Sequence, residues 1–215
     1  MSQRSFSLFD QCIVEFDKAL TTLMGKPETT QRPFPDAKLD DNQPLTEAER
    51  KQSAGLMRVN HAGEVSAQAL YQGQALTAKL PDVRAAMEAA ATEENDHLVW
   101  CQQRLTSLSS HSSVLNPLWY LGSFTIGALA GKVGDKWSLG FVAETEKQVV
   151  KHIDSHLQVI SNNDLKSRAI LAQMKIDEQQ HGTAALEAGG AMLPDPVTKA
   201  MGLVSKVMTK TSYWL

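Results

Sequence analysis

Cysteine is almost missing from this chain of 215 residues. Cys12 and Cys101 stand alone, with no C-x-x-C pair and no spacing that builds a disulfide framework, so a reducing compartment is expected. No basic stretch is interleaved with aromatics, and a net charge of −3 is too small to point to nucleic acid as a partner. Residues 1–20 lack the basic start, continuous apolar run and small-residue cleavage site of a signal peptide; Asp10, Glu15 and Asp17 interrupt them. A secure membrane span is missing too. The apolar stretch 114–131 contains Asn116, Pro117 and three glycines, and its 18 residues fall near the lower limit of what spans a bilayer. Strand-type alternation is absent. What remains is 42% hydrophobic and 21% charged residues, with few aromatics, in a length that supports one sizeable core. This composition predicts an all-α protein, soluble or peripherally bound.

Helical periodicity and punctuation divide the chain. Residues 5–24 place Phe6, Phe9, Ile13, Phe16, Leu20 and Leu23 at helical spacing. Residues 25–44 hold four prolines and read as an exposed connector, so that 1–45 form an N-terminal helix and linker and 46–215 the main domain. Thr46 and Glu49 make a capping-box pattern opening a long helix to about residue 80. Pro81 starts a second, which ends in the serine run at 107–113. Pro117 opens a third, with breaks expected at Gly131 and Gly134. A further helix runs through Glu146 to about 160, Asp164 caps the next as far as Gly189, and a last helix covers about 197–209.

One pattern occurs twice. Glu64 is followed 30 positions later by Glu94-Asn-Asp-His97, and Glu146 is followed 32 positions later by Glu178-Gln-Gln-His181. Residues three apart on a helix share a face, so each pair aims a carboxylate and an imidazole at one point. Glu, Glu-x-x-His, Glu and Glu-x-x-His on four helices form the ligand set of ferritin-like di-metal carboxylate bundles. Four ionised glutamates and two neutral histidines also balance two divalent irons, which lets the cluster sit in a core. Ligation rich in oxygen with some imidazole suits iron or manganese better than zinc. Small residues beside the motif, such as Ala62-Gly63, are expected to admit a close neighbouring helix.

Other residues compete for these roles. His61 lies three before Glu64, but Ala143 holds the equivalent place in the second copy, so a supporting role, a substrate-side role or none is expected. Glu93 and Asp177, each one before a motif glutamate, are placed either to accept a hydrogen bond from a ligand histidine or to face solvent. Glu144 competes with Glu146, whose spacing matches better. His152 is placed to face the site, whereas His111 and His156 are read as surface residues. Gly127-x-x-x-Gly131 reads as close helix packing. The last helix sets Val197, Ala200, Met201, Val204, Val207 and Met208 on one side, away from Lys199, Lys206 and Lys210. It ends in Tyr213-Trp214-Leu215, a pattern suited to a core helix or to a membrane surface.

Arg58-Val-Asn-His-Ala-Gly-Glu64, Glu93-Glu-Asn-Asp-His97, Val142-Ala-Glu-Thr-Glu146 and Asp177-Glu-Gln-Gln-His181 resemble the demethoxyubiquinone hydroxylases, the bacterial type in particular, over roughly residues 50–215. The resemblance implies a ferritin-like four-helix bundle with additional amphipathic helices and two Fe ions. Glu94 and Glu178 would bridge them, Glu64 and His97 completing one iron and Glu146 and His181 the other. It also implies O2-dependent hydroxylation of a polyprenylated methoxy-benzoquinol (demethoxyubiquinol) to the 3-demethylubiquinol, within ubiquinone biosynthesis. An electron donor, other proteins of that pathway and a membrane lipid surface are the implied partners, with a peripheral location on the cytoplasmic side of the cell membrane. The quinol would reach the site through an apolar opening near residues 115–129 and the final helix. Two alternatives remain at this point: another ferritin-like di-iron oxidase or ferroxidase, and a non-enzymatic membrane-associated metal-binding helical protein.

Overall fold

The computed structural model describes residues 7–25, 27–40 and 44–215, and no strand occurs among them. Seven helices follow one another: α1 Leu8–Met24, α2 Glu47–Thr77, α3 Pro81–Ser107, α4 Asn116–Val133, α5 Asp135–Val159, α6 Leu165–Glu187 and α7 Asp195–Ser212. Of the first expected helix, Phe6 lies outside the described residues, and the connector likewise lacks residues 26 and 41–43.

Local chemistry sets the boundaries. The Thr46 side chain accepts from the Glu49 backbone N–H while Glu49 accepts at Thr46, closing the expected capping box. The other Glu49 oxygen accepts from Ser161 Oγ at 2.6 Å, tying the start of α2 to the α5–α6 turn. Asp164 caps α6 through the Ser167 N–H and pairs with Arg104 at 2.6 Å inside the protein. Only one of the two expected glycine breaks exists. Gly134 has φ +144°, open to glycine and rarely to other residues, and it separates α4 from α5. Gly131 stays helical, because its missing side chain serves packing: a β-carbon there would strike Thr77.

Helices α2 and α3 form one hairpin, α5 and α6 another, and α4 is the long crossover between them, laid along α2. At Gly127 a β-carbon would collide with the Leu70 carbonyl, so the spaced glycines bring α4 and α2 into backbone contact, as the sequence predicts. Of three apolar clusters, one of them joining α2 and α3 to α4 through Val65, Leu98 and Tyr120, two fill the ends of the bundle. One contains Met57, Trp100, Ile153 and Met174; the other contains Tyr71, Met87, Val142 and Ala185. On each of the four helices a motif glutamate lies between its members of the two clusters: Glu64 between Met57 and Tyr71, Glu94 between Met87 and Trp100, Glu146 between Val142 and Ile153, Glu178 between Met174 and Ala185. The polar layer is thus sandwiched between apolar layers, each large side chain of which contributes about 1.5–3 kcal/mol on burial.

α7 packs on α2 and α5 but keeps Leu203, Val204 and Val207 exposed. Its end is joined to the start of α4 by Trp119 Nε1 donating to Ser212 Oγ (3.0 Å) and Val114 N–H donating to the Leu215 carbonyl (2.6 Å). Leu118, Leu121 and Leu129 of α4 are exposed as well. Among the described residues no helix is long and apolar enough to cross a membrane.

Candidate metal centre

The six motif residues converge. One ligand atom from each of Glu64, Glu94, His97 and Glu178 lies within 4.8 Å of the others, and all four residues are buried. His181 approaches the same carboxylates from the other side. Glu94 sets Oε2 3.1 Å from His97 Nδ1 and Oε1 3.1 Å from His181 Nδ1. Glu178 sets Oε1 3.1 Å from His97 Nδ1 and Oε2 3.3 Å from His181 Nδ1. Each of these glutamates therefore presents one oxygen to each histidine, which is the disposition of a bridging carboxylate. Glu64 belongs to the His97 side, with Oε2 3.6 Å from His97 Nδ1. Glu146 enters from α5, buried, and its Oε1 accepts a 2.6 Å hydrogen bond from Tyr71 Oη. Glu144 instead faces Lys147 and Gln148, so the choice of Glu146 over Glu144 agrees with burial.

Both histidines turn Nδ1 inward and Nε2 outward. His97 Nε2 meets Asp177 Oδ2 at 2.9 Å, and His181 Nε2 meets Glu93 Oε2 at 2.8 Å. A carboxylate at Nε2 keeps the proton there, so Nδ1 is the nitrogen that a cation in the cluster would take once its own proton leaves. The bracing is crossed, since each carboxylate holds the histidine of the other motif copy.

Electrostatics agree with a cation-binding layer. Burial pushes the Glu64 and Glu146 carboxyls well above the ordinary range, and the neighbouring Glu94 and Glu178 charges add to it. Burial would lower His97, yet Glu94 and the carboxylates hydrogen-bonded to it raise it well above the ordinary imidazole value. His181 is likewise pushed up to about 12, Glu178 and Glu94 overcoming its desolvation. Burial also opposes ionisation of Glu94, but His97 and His181 outweigh it and hold this carboxyl low. Glu64 Oε2, Glu94 Oε1 and Glu146 Oε2 find no hydrogen-bond donor of acceptable geometry although they are buried. Bare buried acceptors cost about 1–3 kcal/mol each. These bare oxygens, beside two imidazoles, offer acceptor positions that a cation can fill. The donor set fits a metal site.

The remaining sequence candidates fall into place around it. His61 is buried beside Asn116, its Nδ1 3.3 Å from Asn116 Nδ2, and burial lowers it to about 4. His111 is exposed. His156 is not the surface residue its sequence suggests: it is buried, with Nδ1 3.0 Å from Asn60 Nδ2, because α5 turns this face onto α2. His152 Nε2 contacts Ser205 Oγ of α7 at 2.9 Å and lines a cavity of about 340 Å³. That cavity runs between α2, α4, α5 and α7, lined by Val59, Ile126, Phe141, Val149, Met201 and Met208, and it reaches Glu64. Gly63 lines it with open space where a β-carbon would project. The close helix approach expected there does not occur; the missing side chain widens the cavity. On the other side of α2 a polar cavity reaches Tyr71 past Asp17, Thr22, Gln68, Gln72 and Glu88. Sequence reasoning missed Tyr71 and Arg32, which donates to Asp177 from the connector at 2.9 Å. Tyr71 carries one signal, standing seven residues, two helical turns, after Glu64.

Comparison with known proteins gives the same picture. The family model for ubiquinone biosynthesis protein COQ7 matches residues 51–212. The 3-demethoxyubiquinol 3-hydroxylase of Nitrosococcus oceani is 61% identical over 215 residues, the whole of both chains. That of Pseudomonas putida (strain GB-1) is 58% identical over 212 residues, 99% of this chain and 98% of the relative. Among solved structures, the dodecameric thioferritin of Bacteroides fragilis, a bacterioferritin-related protein, superposes with a TM-score of 0.51 at 17% identity, over 72% of this chain and 88% of that one, a likeness of fold alone. A bundle of ferritin-like architecture, a buried Glu/His cluster and full-length identity of this order together show that the chain belongs to the COQ7 family of ubiquinone biosynthesis proteins.

Proposed function

We propose that this chain is a 3-demethoxyubiquinol 3-hydroxylase, which uses O2 to hydroxylate the ring of a polyprenylated methoxy-benzoquinol at a di-iron centre. The single observation that carries the reading is the apolar cavity ending at Glu64. It joins a carboxylate–imidazole cluster to a space shaped for a ring with an apolar tail. A metal-storage protein has no use for such a space.

Glu64, Glu94 and His97 on one side and Glu146, Glu178 and His181 on the other would hold the two irons, with Glu94 and Glu178 shared. An iron pair, when bound, supplies redox chemistry toward oxygen. The chain's own residues do the rest. Val59, Ile126, Phe141 and Met201 exclude water from around the ring, while Gly63 leaves it room beside Glu64. Asp177 and Glu93 hold the Nε2 protons of the two histidines. Tyr71 holds a proton at Oη against Glu146 Oε1, on the side of the polar cavity. Overall, a ring C–H, O2, two electrons and two protons become C–OH and water, so an external electron donor completes the reaction.

The quinol's tail lies in lipid, and the exposed apolar residues of α4 and α7 flank the cavity. Leu121, Leu129, Leu203 and Val207 support a peripheral attachment to the cytoplasmic face of the cell membrane, with the ring entering between these helices. The decisive experiment supplies labelled O2 and a demethoxy-quinol to the reduced protein. One labelled atom should appear on the ring, and Glu178→Ala or His181→Ala should abolish this while His111→Ala does not. Ring oxygen derived from water in a fully loaded wild type would overturn the reading.

A further inference from the structure

The connector does more than join α1 to the bundle. Thr30 donates to Asp96 through its backbone N–H (2.8 Å) and its hydroxyl. Arg32 Nε donates to Asp96 Oδ2 at 2.7 Å, and Arg32 Nη1 donates to Asp177 Oδ2 at 2.9 Å. Between them Gln31 has φ +63°, a conformation that costs a side-chain-bearing residue energy and turns both neighbours toward the bundle. The Arg32 guanidinium lies 5.0 Å from the Trp100 ring centre, and Trp100 packs against His97 with 5.3 Å between centroids.

The result is an unequal pair of braces. Asp177 is almost fully buried, its side chain 6% exposed, and is met by Arg32, by Gln173 Nε2 and by His97. Glu93 is 48% exposed, and among the described residues its carboxylate meets His181 alone. The His97 side chain is fully buried, while 11% of His181 remains exposed.

We propose that Arg32 makes the two metal positions unequal, fixing the His97 side as the tight, slowly exchanging one and leaving the His181 side weaker and exchangeable. The inference rests on the di-metal reading above. Arg32 is a positioning residue. A carboxylate held from three directions has little freedom left to lose when the imidazole it orients takes up a metal, whereas Glu93 must be ordered out of solvent for the same purpose. The N-terminal connector is thereby part of the metal centre rather than a tether.

Anaerobic titration of the full metal-free chain with Co²⁺, followed by calorimetry and visible absorbance, tests this without turnover. Two steps should appear, their dissociation constants separated by about tenfold or more. His181→Ala should remove the weaker step and His97→Ala the tighter. Arg32→Gln should merge the steps and speed release of the slow cobalt to a chelator, with Arg32→Lys, which keeps the charge but not the two-point reach, between them. Should Arg32→Gln fail to fold, the wild type and the histidine variants still decide. Two equal steps in the wild type, loss of the tighter step in His181→Ala, or an unchanged ratio in Arg32→Gln would each overturn the proposal while leaving the di-metal reading intact. Absence of any cobalt binding would overturn both.

Discussion

Asp177 immediately precedes Glu178 in α6, yet its Oδ2 lies 2.9 Å from His97 Nε2 in α3, while Glu93, just before Glu94 in α3, holds His181 in α6. The two hairpins are cross-braced through their own motif histidines. Asp177→Asn should weaken metal retention by roughly 10–100-fold, since such supports set ring orientation and basicity. Glu93→Gln should cost less, because Glu93 is half exposed. Metal content after dialysis against a chelator measures both, and equal losses would contradict the structural asymmetry.

The cavity makes a prediction at Gly63. Leucine there gains helix propensity, about 0.8 kcal/mol over glycine, and projects into open space. Gly63→Leu should therefore keep or raise the thermal midpoint while hydroxylation falls at least about tenfold, the ring losing its place beside Glu64. Wild-type turnover in this variant would place the substrate elsewhere.

Gly127→Val should behave in the opposite way. Its side chain would meet the Leu70 backbone, which no rotamer can relieve, so a loss of about 1–3 kcal/mol or more is expected from forcing α4 off α2. Urea denaturation measures it. A stability equal to that of the wild type would mean that α4 can shift freely.

Metal loading should release protons. Glu94 and the other carboxylates around them raise His97 well above its ordinary value and His181 to about 12, so in the metal-free cluster these two imidazoles carry protons near neutral pH. A divalent ion must displace those protons, so affinity rises with pH and falls as pH drops, by about one decade per pH unit for each proton displaced. Calorimetric heats should consequently differ between buffers of unequal ionisation enthalpy. Identical heats would show that no proton leaves.

The proposed membrane attachment is tested at the outward residues of α7. Met201 is partly covered above the cavity, whereas Leu203 and Val207 are exposed. Leu203→Asp with Val207→Asp should lower liposome binding with the fold intact by circular dichroism, because buried apolar area drives such attachment. Unchanged partitioning would assign these side chains another role.

The sequence by itself determined the helical class, the Thr46–Glu49 and Asp164 caps, the Gly134 break and the six residues that converge. All of these depend on helical periodicity, on a spacing that the chain repeats or on a local φ requirement, each of which the sequence expresses directly. It left His156 on the surface, expected a close packing contact at Gly63 and read residues 25–44 only as an exposed connector. Which face of α5 meets α2, where α7 leaves a gap, and that Arg32 reaches Asp177 across 145 positions are consequences of how separate helices dock. Docking is decided by the summed burial of side chains far apart in the chain, a quantity that no local pattern carries. The crossed bracing shows the division most plainly: the position of Glu93 and Asp177 beside the motif was legible, but only the antiparallel meeting of α3 and α6 decided which histidine each one holds.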